Sequence, residues 1–166
     1  MSEIEVPIEG VQEEIHHHAL HENNSMISRA AIMSAFLAVF AAVAALFAGH
    51  YSNEALIEQI QSSNQWGYYQ AKGIKASIAE MKENSEAKVE KYKEEQVEIK
   101  KEAELKTAES EHHLHKHVSL ATAVTIFQVA IGLIAVGILS KKKYFLTLAF
   151  GFSLFGLFWF VKGFLI

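Results

Sequence analysis

Three stretches of this chain, Met26 to Gly49, Val118 to Leu139 and Tyr144 to Ile166, are built almost wholly of apolar residues. Each runs for about 20 residues or more. At 1.5 Å of helix rise per residue, that is enough to cross a hydrocarbon layer of roughly 30 Å. Charge is nearly absent from them: Arg29 lies close to the start of the first, and Lys162 close enough to the end of the third to reach the membrane surface. Hydrophobic residues make up 51% of the chain, and a water-soluble core would not segregate them into three blocks. Take the blocks away and no core remains. The expected fold class is all-α: three transmembrane helices, with a long extramembrane helical (coiled-coil) hairpin between spans 1 and 2.

The first block does not read as a cleaved signal peptide, because the residues before it carry glutamates rather than a basic run and its apolar stretch exceeds the usual 7–15 residues. The chain has no cysteine, so disulfides and thiolate metal sites are excluded. A net charge of −4 argues against a dedicated nucleic-acid binder. Orientation follows from Lys141, Lys142 and Lys143, which make a short basic loop of the kind that stays cytoplasmic. The expected layout is a cytoplasmic tail over 1–25, spans at 26–49, 118–139 and 144–166, a periplasmic segment over 50–117 and a cytoplasmic loop at 140–143. The C-terminus then lies outside.

Between His50 and His117 there is no proline and little glycine, and Glu, Lys and Ala dominate the second half. These are good helix formers, and pairs such as Glu102 and Lys106 stand one turn apart. A chain that leaves and re-enters one membrane face suggests a hairpin, with Glu83-Asn84-Ser85 supplying the best turn chemistry. The expected seam on the first arm is Leu56, Ile60, Ser63, Gly67, Gln70, Ile74, Ile78 (or Ser77) and Met81. On the second arm it is Val89, Tyr92, Gln96, Ile99 and Ala103. Spacing of four and three marks a coiled-coil period, but one so polar that several copies are expected to pack together. Span 1 points the same way: Ala31, Ala35, Ala38, Ala42, Ala45 and Gly49 form a small-residue stripe of the type that drives helix association in lipid. Ser34, Ala41 and Ala48 make a second one.

The stretch Ser63-Asn64-Gln65-Trp66-Gly67-Tyr68-Tyr69-Gln70-Ala71-Lys72 sets three large aromatics in a polar context. Trp66 stands about 25 Å along a helix from Gly49, too far for a membrane-interface belt. Its spread with Tyr68 and Tyr69 around the helix suggests enclosure by more than one neighbour, with Gly67 allowing close approach in an oligomer. Base stacking is a poor fit to a net-acidic segment. With the alanine-rich span before it, the wording "NEALIEQIQSSNQWGYYQAKGIK" resembles an uncharacterised family of small bacterial three-span membrane proteins, a domain of unknown function. The resemblance covers nearly the whole chain and implies a bacterial inner-membrane location. It brings no catalytic residues.

Two histidine clusters remain: His16, His17, His18 and His21 in the tail, and His112, His113, His115 and His117 before span 2. Helical spacing pairs His113 with His117 and His112 with His115, so a neighbour could complete a Zn²⁺ or Cu²⁺ site, or protonation below about pH 6.5 could make the clusters respond to pH. Solvated surface histidine is the plainer account. No nucleophile elbow, phosphate loop, dinucleotide fingerprint or zinc-protease motif is present, and the chain does not read as an enzyme. The expected function is an oligomeric inner-membrane scaffold or accessory protein, in contact with membrane lipid and with an unidentified protein partner, not with nucleic acid. The alternative is a channel, transporter or sensor whose histidines respond to metal or pH.

Overall fold

The computed structural model describes residues 10, 13, 25–82 and 85–166. Among them the chain is helical throughout, with no strand: α1 spans Ser25–Glu80, α2 Glu86–Ser140 and α3 Lys143–Leu165. Each is long and apolar enough, somewhere along its length, to cross a membrane. The one proline of the chain, Pro7, precedes all three, so nothing removes a donor from a helix interior.

Local chemistry sets the ends. Lys82 N–H donates back to the Ala79 carbonyl as α1 closes. The Ser85 carbonyl accepts from the N–H groups of Lys88 and Val89 and so opens α2, with Glu86 in the first turn facing the positive helix end. Of the expected turn, Glu83 and Asn84 lie outside the described residues. Lys141 ends α2 in the left-handed region (φ 52°), its N–H bonded to the Ile138 carbonyl. Extended Lys142 then leads into α3.

The chain divides into two compact units, Met1–Gly49 with Lys116–Ile166, and His50–His115. In the first, α1 buries a narrow stripe of mostly small residues at seven-residue repeats: Ile27, Ser34, Ala41 and Ala48, with Ala30, Leu37 and Ala44 between them. α2 supplies the bulk, with Leu120, Phe127, Ile131 and Ile134 fully buried. α3 answers with Ala149, Gly156 and Gly163, again seven apart. A Cβ on Gly156 would stand 2.7 Å from the Phe127 ring, and one on Gly163 2.7 Å from Leu120. Large side chains of α2 therefore seat where α3 has none. Phe40, Phe127 and Phe160 join the three helices through ring contacts of 5.7–6.4 Å.

The second small stripe of span 1 is buried along its whole length, whereas the first joins the contact only over its first half. Ala31 is buried and Ala35 and Ala38 are half-buried, but Ala42, Ala45 and Gly49 are exposed. The α3 stripe escaped the sequence reading, although Ala149, Gly156 and Gly163 carry the same seven-residue signal in a helix otherwise full of phenylalanine.

In the second unit the two helices run antiparallel, since partners on α2 fall in number as those on α1 rise. Ser110 donates to the Ala55 carbonyl, Ser62 meets Ala103 and Thr107, Gln96 reaches the Tyr69 carbonyl, and Lys93 pairs with Glu80. Val89, Tyr92, Gln96, Ile99 and Ala103 face the seam as expected. On α1 the expected seam is one to two positions off, and Ser63, Gly67 and Gln70 are exposed. The residues facing α2 are Ala55, Ser62, Tyr69 and Ala76, with Glu58, Gln65, Lys72 and Ala79, whereas Leu56, Ile60, Ile74, Ile78 and Met81 are exposed. Small and hydrogen-bonding side chains let the helices approach and bridge, so polar complementarity selected the face. Apolar volume did not.

Candidate functional site: the polar seam and its histidines

Lys106 anchors the seam of the second unit. Its ammonium lies 2.8 Å from Glu109 on its own helix and 3.0 Å from Glu58 on α1. The hydrogen bond to Glu109, then that to Glu58, pushes Lys106 up to about 12, and Lys106 in turn holds Glu109 below the usual carboxylate range. The expected Glu102 pairing is not the one Lys106 makes. Further along, Lys72 binds Glu95, whose pKa is lowered chiefly by that hydrogen bond, and Glu80 raises Lys93 in the same way.

Hydroxyls complete the seam. Ser62 Oγ contacts the Ala103 carbonyl at 3.2 Å and Thr107 Oγ1 at 2.7 Å, and Ser110 Oγ donates to the Ala55 carbonyl at 2.8 Å. Gln96 Nε2 donates to the Tyr69 carbonyl at 3.0 Å and passes directly over Gly73, where a Cβ would meet it at 2.8 Å. Gly73 is thus the glycine of close approach inside this unit. A Cβ on Gly67 would meet nothing within 4 Å.

The aromatics divide differently from the expectation. Residues three apart on a helix lie only about 60° apart, so Trp66 and Tyr69 share one side and pack edge to face, with centroids 5.6 Å apart. Both are half-buried against the seam. Tyr68 alone projects outward, 62% exposed.

The four histidines before span 2 take separate roles. The His113 ring stacks on Tyr51 at 5.9 Å and meets the His112 edge at 5.8 Å; its Nδ1 is buried without a hydrogen-bond partner among the described residues. In the first unit, His117 Nδ1 lies 2.8 Å from the Ala48 carbonyl, a contact in which the ring N–H donates. His112 and His115 are exposed. Among the described residues no group of three or more His, Asp or Glu side chains is placed to hold a metal, so the expected set of His112, His113, His115 and His117 is not gathered. The cluster at His16, His17, His18 and His21 lies outside the described residues.

This geometry defines an all-helical protein with three membrane-length helices and a seam of staggered polar staples. The chain belongs to the family described as a domain of unknown function (DUF4337), whose model matches residues 26–87 and 82–166. No curated protein and no solved structure matches it.

Proposed function

We propose that the protein is a homo-oligomeric, non-catalytic scaffold or accessory protein of the bacterial inner membrane. It crosses the membrane three times and has an antiparallel coiled-coil segment on the periplasmic side. The observation that carries this reading is a seven-residue stripe on the exposed side of α1 in the second unit: Ile60, Gly67, Ile74 and Met81, with Ile60 53% and Ile74 62% exposed. In the first unit Ala42, Ala45 and Gly49 are exposed as well. A sustained seven-residue apolar period is the pattern by which helices pair along their length. A row of exposed isoleucines on a segment outside the lipid is also costly unless covered. Gly67, open in the single chain, falls on this stripe, where an absent side chain admits a neighbouring helix.

Replacing Ile60 and Ile74 together by serine tests the reading. Both are exposed, so the chain's own fold should be nearly indifferent, within about 0.5 kcal/mol per site. The assembly seen by native mass spectrometry should shift to smaller species. Retention of the wild-type subunit number would sink the proposal. Trp66→Ala is a poorer test, because Trp66 also packs against Tyr69 within the chain.

A further inference from the structure

We propose that the first unit binds an acidic phospholipid in a groove where its three helices meet at the Arg29–Lys143 end. The inference rests on the membrane reading above. The groove measures about 580 Å³, inside the range of roughly 300–1,000 Å³ typical of ligand sites. Its walls come from α1 through Arg29 and Met33, from α2 through Ile134, and from α3 through Lys143, Thr147 and Phe150. Two features together select the ligand. Arg29 and Lys143 are exposed, and neither takes part in any of the ion pairs seen among the described residues, such as Lys106 with Glu58 and Lys72 with Glu95. Thr147 directs its hydroxyl to the Lys143 carbonyl at 3.3 Å, which leaves the two cations as the donors facing the groove.

Two uncompensated cations call for an anion, and a guanidinium presents a planar fork that matches two phosphate oxygens. The rest of the lining is largely hydrocarbon, which gives a free inorganic phosphate nothing to cover but suits an acyl chain. Basic pockets between membrane helices near the cytoplasmic face are where anionic headgroups are held, and Lys141, Lys142 and Lys143 place this end there by the positive-inside rule. The phosphate then sits between Arg29 and Lys143, and one chain lies over Met33, Ile134 and Phe150.

The test uses the full chain in nanodiscs made from equal amounts of phosphatidylglycerol and phosphatidylcholine with identical acyl chains. Lipid retained on the protein is read by native mass spectrometry. Wild type should retain phosphatidylglycerol about tenfold over phosphatidylcholine. Arg29→Gln with Lys143→Gln should bring the ratio near one, whereas Lys141→Gln with Lys142→Gln, an equal charge loss outside the groove lining, should preserve it. Met33→Trp fills the apolar wall without touching either cation and should also lower retention, so a folding failure in the charge variant leaves the proposal testable. No preference in wild type, or equal loss in both charge variants, would overturn it. A chain that stays in solution without detergent would instead sink the membrane reading itself.

Discussion

Lys106 shows how one cation can organise two helices. It joins Glu109 on its own helix to Glu58 on the facing one, and both carboxylates favour its charged form. Because its folded pKa lies near 12, above the ordinary 10.5, its contribution is complete below about pH 10.5 and disappears as pH rises through 12. Glu109 is shifted down from 4.5, so its contribution holds above pH 4.5 and is lost as pH falls through its lowered value. Thermal unfolding of the wild-type chain, followed by circular dichroism, should therefore be most resistant on a plateau between these limits and weaken on both sides. Lys106→Met leaves Glu58 and Glu109 without their shared cation. Its stability should rise as pH drops toward 4.5, a range over which wild type is still on its plateau. A parallel acid response in both proteins would show that the triad does not hold the seam. Two serines at equivalent steps of the α1 repeat show the same dependence on partners: Ser62 is bonded across the seam, while buried Ser34 Oγ has no partner among the described residues.

At the scale of elements, α3 is held by what it lacks. Its buried face is Ala149, Gly156 and Gly163, and the Phe127 ring occupies the space a side chain at 156 would need. Gly156→Ala should overpack that contact, typically at about 1–3 kcal/mol, and lower the unfolding temperature. Gly151, on the same helix, has nothing within 4 Å of a built Cβ. Gly151→Ala should be neutral or mildly stabilising, as expected for replacing a helical glycine. Equal effects at the two positions would mean that α3 does not dock by this face. α1 is likewise mostly small on its buried stripe, with Ala30, Ser34, Ala41, Ala44 and Ala48 beside the larger Ile27 and Leu37.

For the molecule as a whole, the distribution of cations sets the expected orientation. Arg29 and Lys143 line one groove at one end of the first unit, beside Lys141 and Lys142. Lys116 and Lys162 belong to the opposite end, where His117 meets Ala48 and Phe164 meets Phe47. The richer end should be cytoplasmic. Reporter fusions after Lys143 and after Ile166 should give cytoplasmic and periplasmic signals respectively, and replacing the three loop lysines by glutamine should make the orientation mixed. A periplasmic signal at Lys143 would invert the layout and move the proposed lipid site to the other leaflet.

Apolar blocks, helix-forming composition and the absence of an interior proline were enough to determine three long helices and the α2 side of the seam, because these depend on local propensity and on burial that any partner would satisfy. Which face of α1 meets α2 was not legible. Two stripes of nearly equal periodicity share that helix, and the choice between them turns on the partner's hydrogen bonds: Ser110 to the Ala55 carbonyl, Ser62 to Thr107, Gln96 to the Tyr69 carbonyl. The same is true of the histidines, whose spacing permits a metal site while the fold stacks one on Tyr51 and bonds another to Ala48. Arg29 and Lys143 stand more than a hundred residues apart in the chain, and only the meeting of α1 with α3 turns two topology signals into one groove. Periodicity along a helix is a local property. The identity of what lies across from it is not.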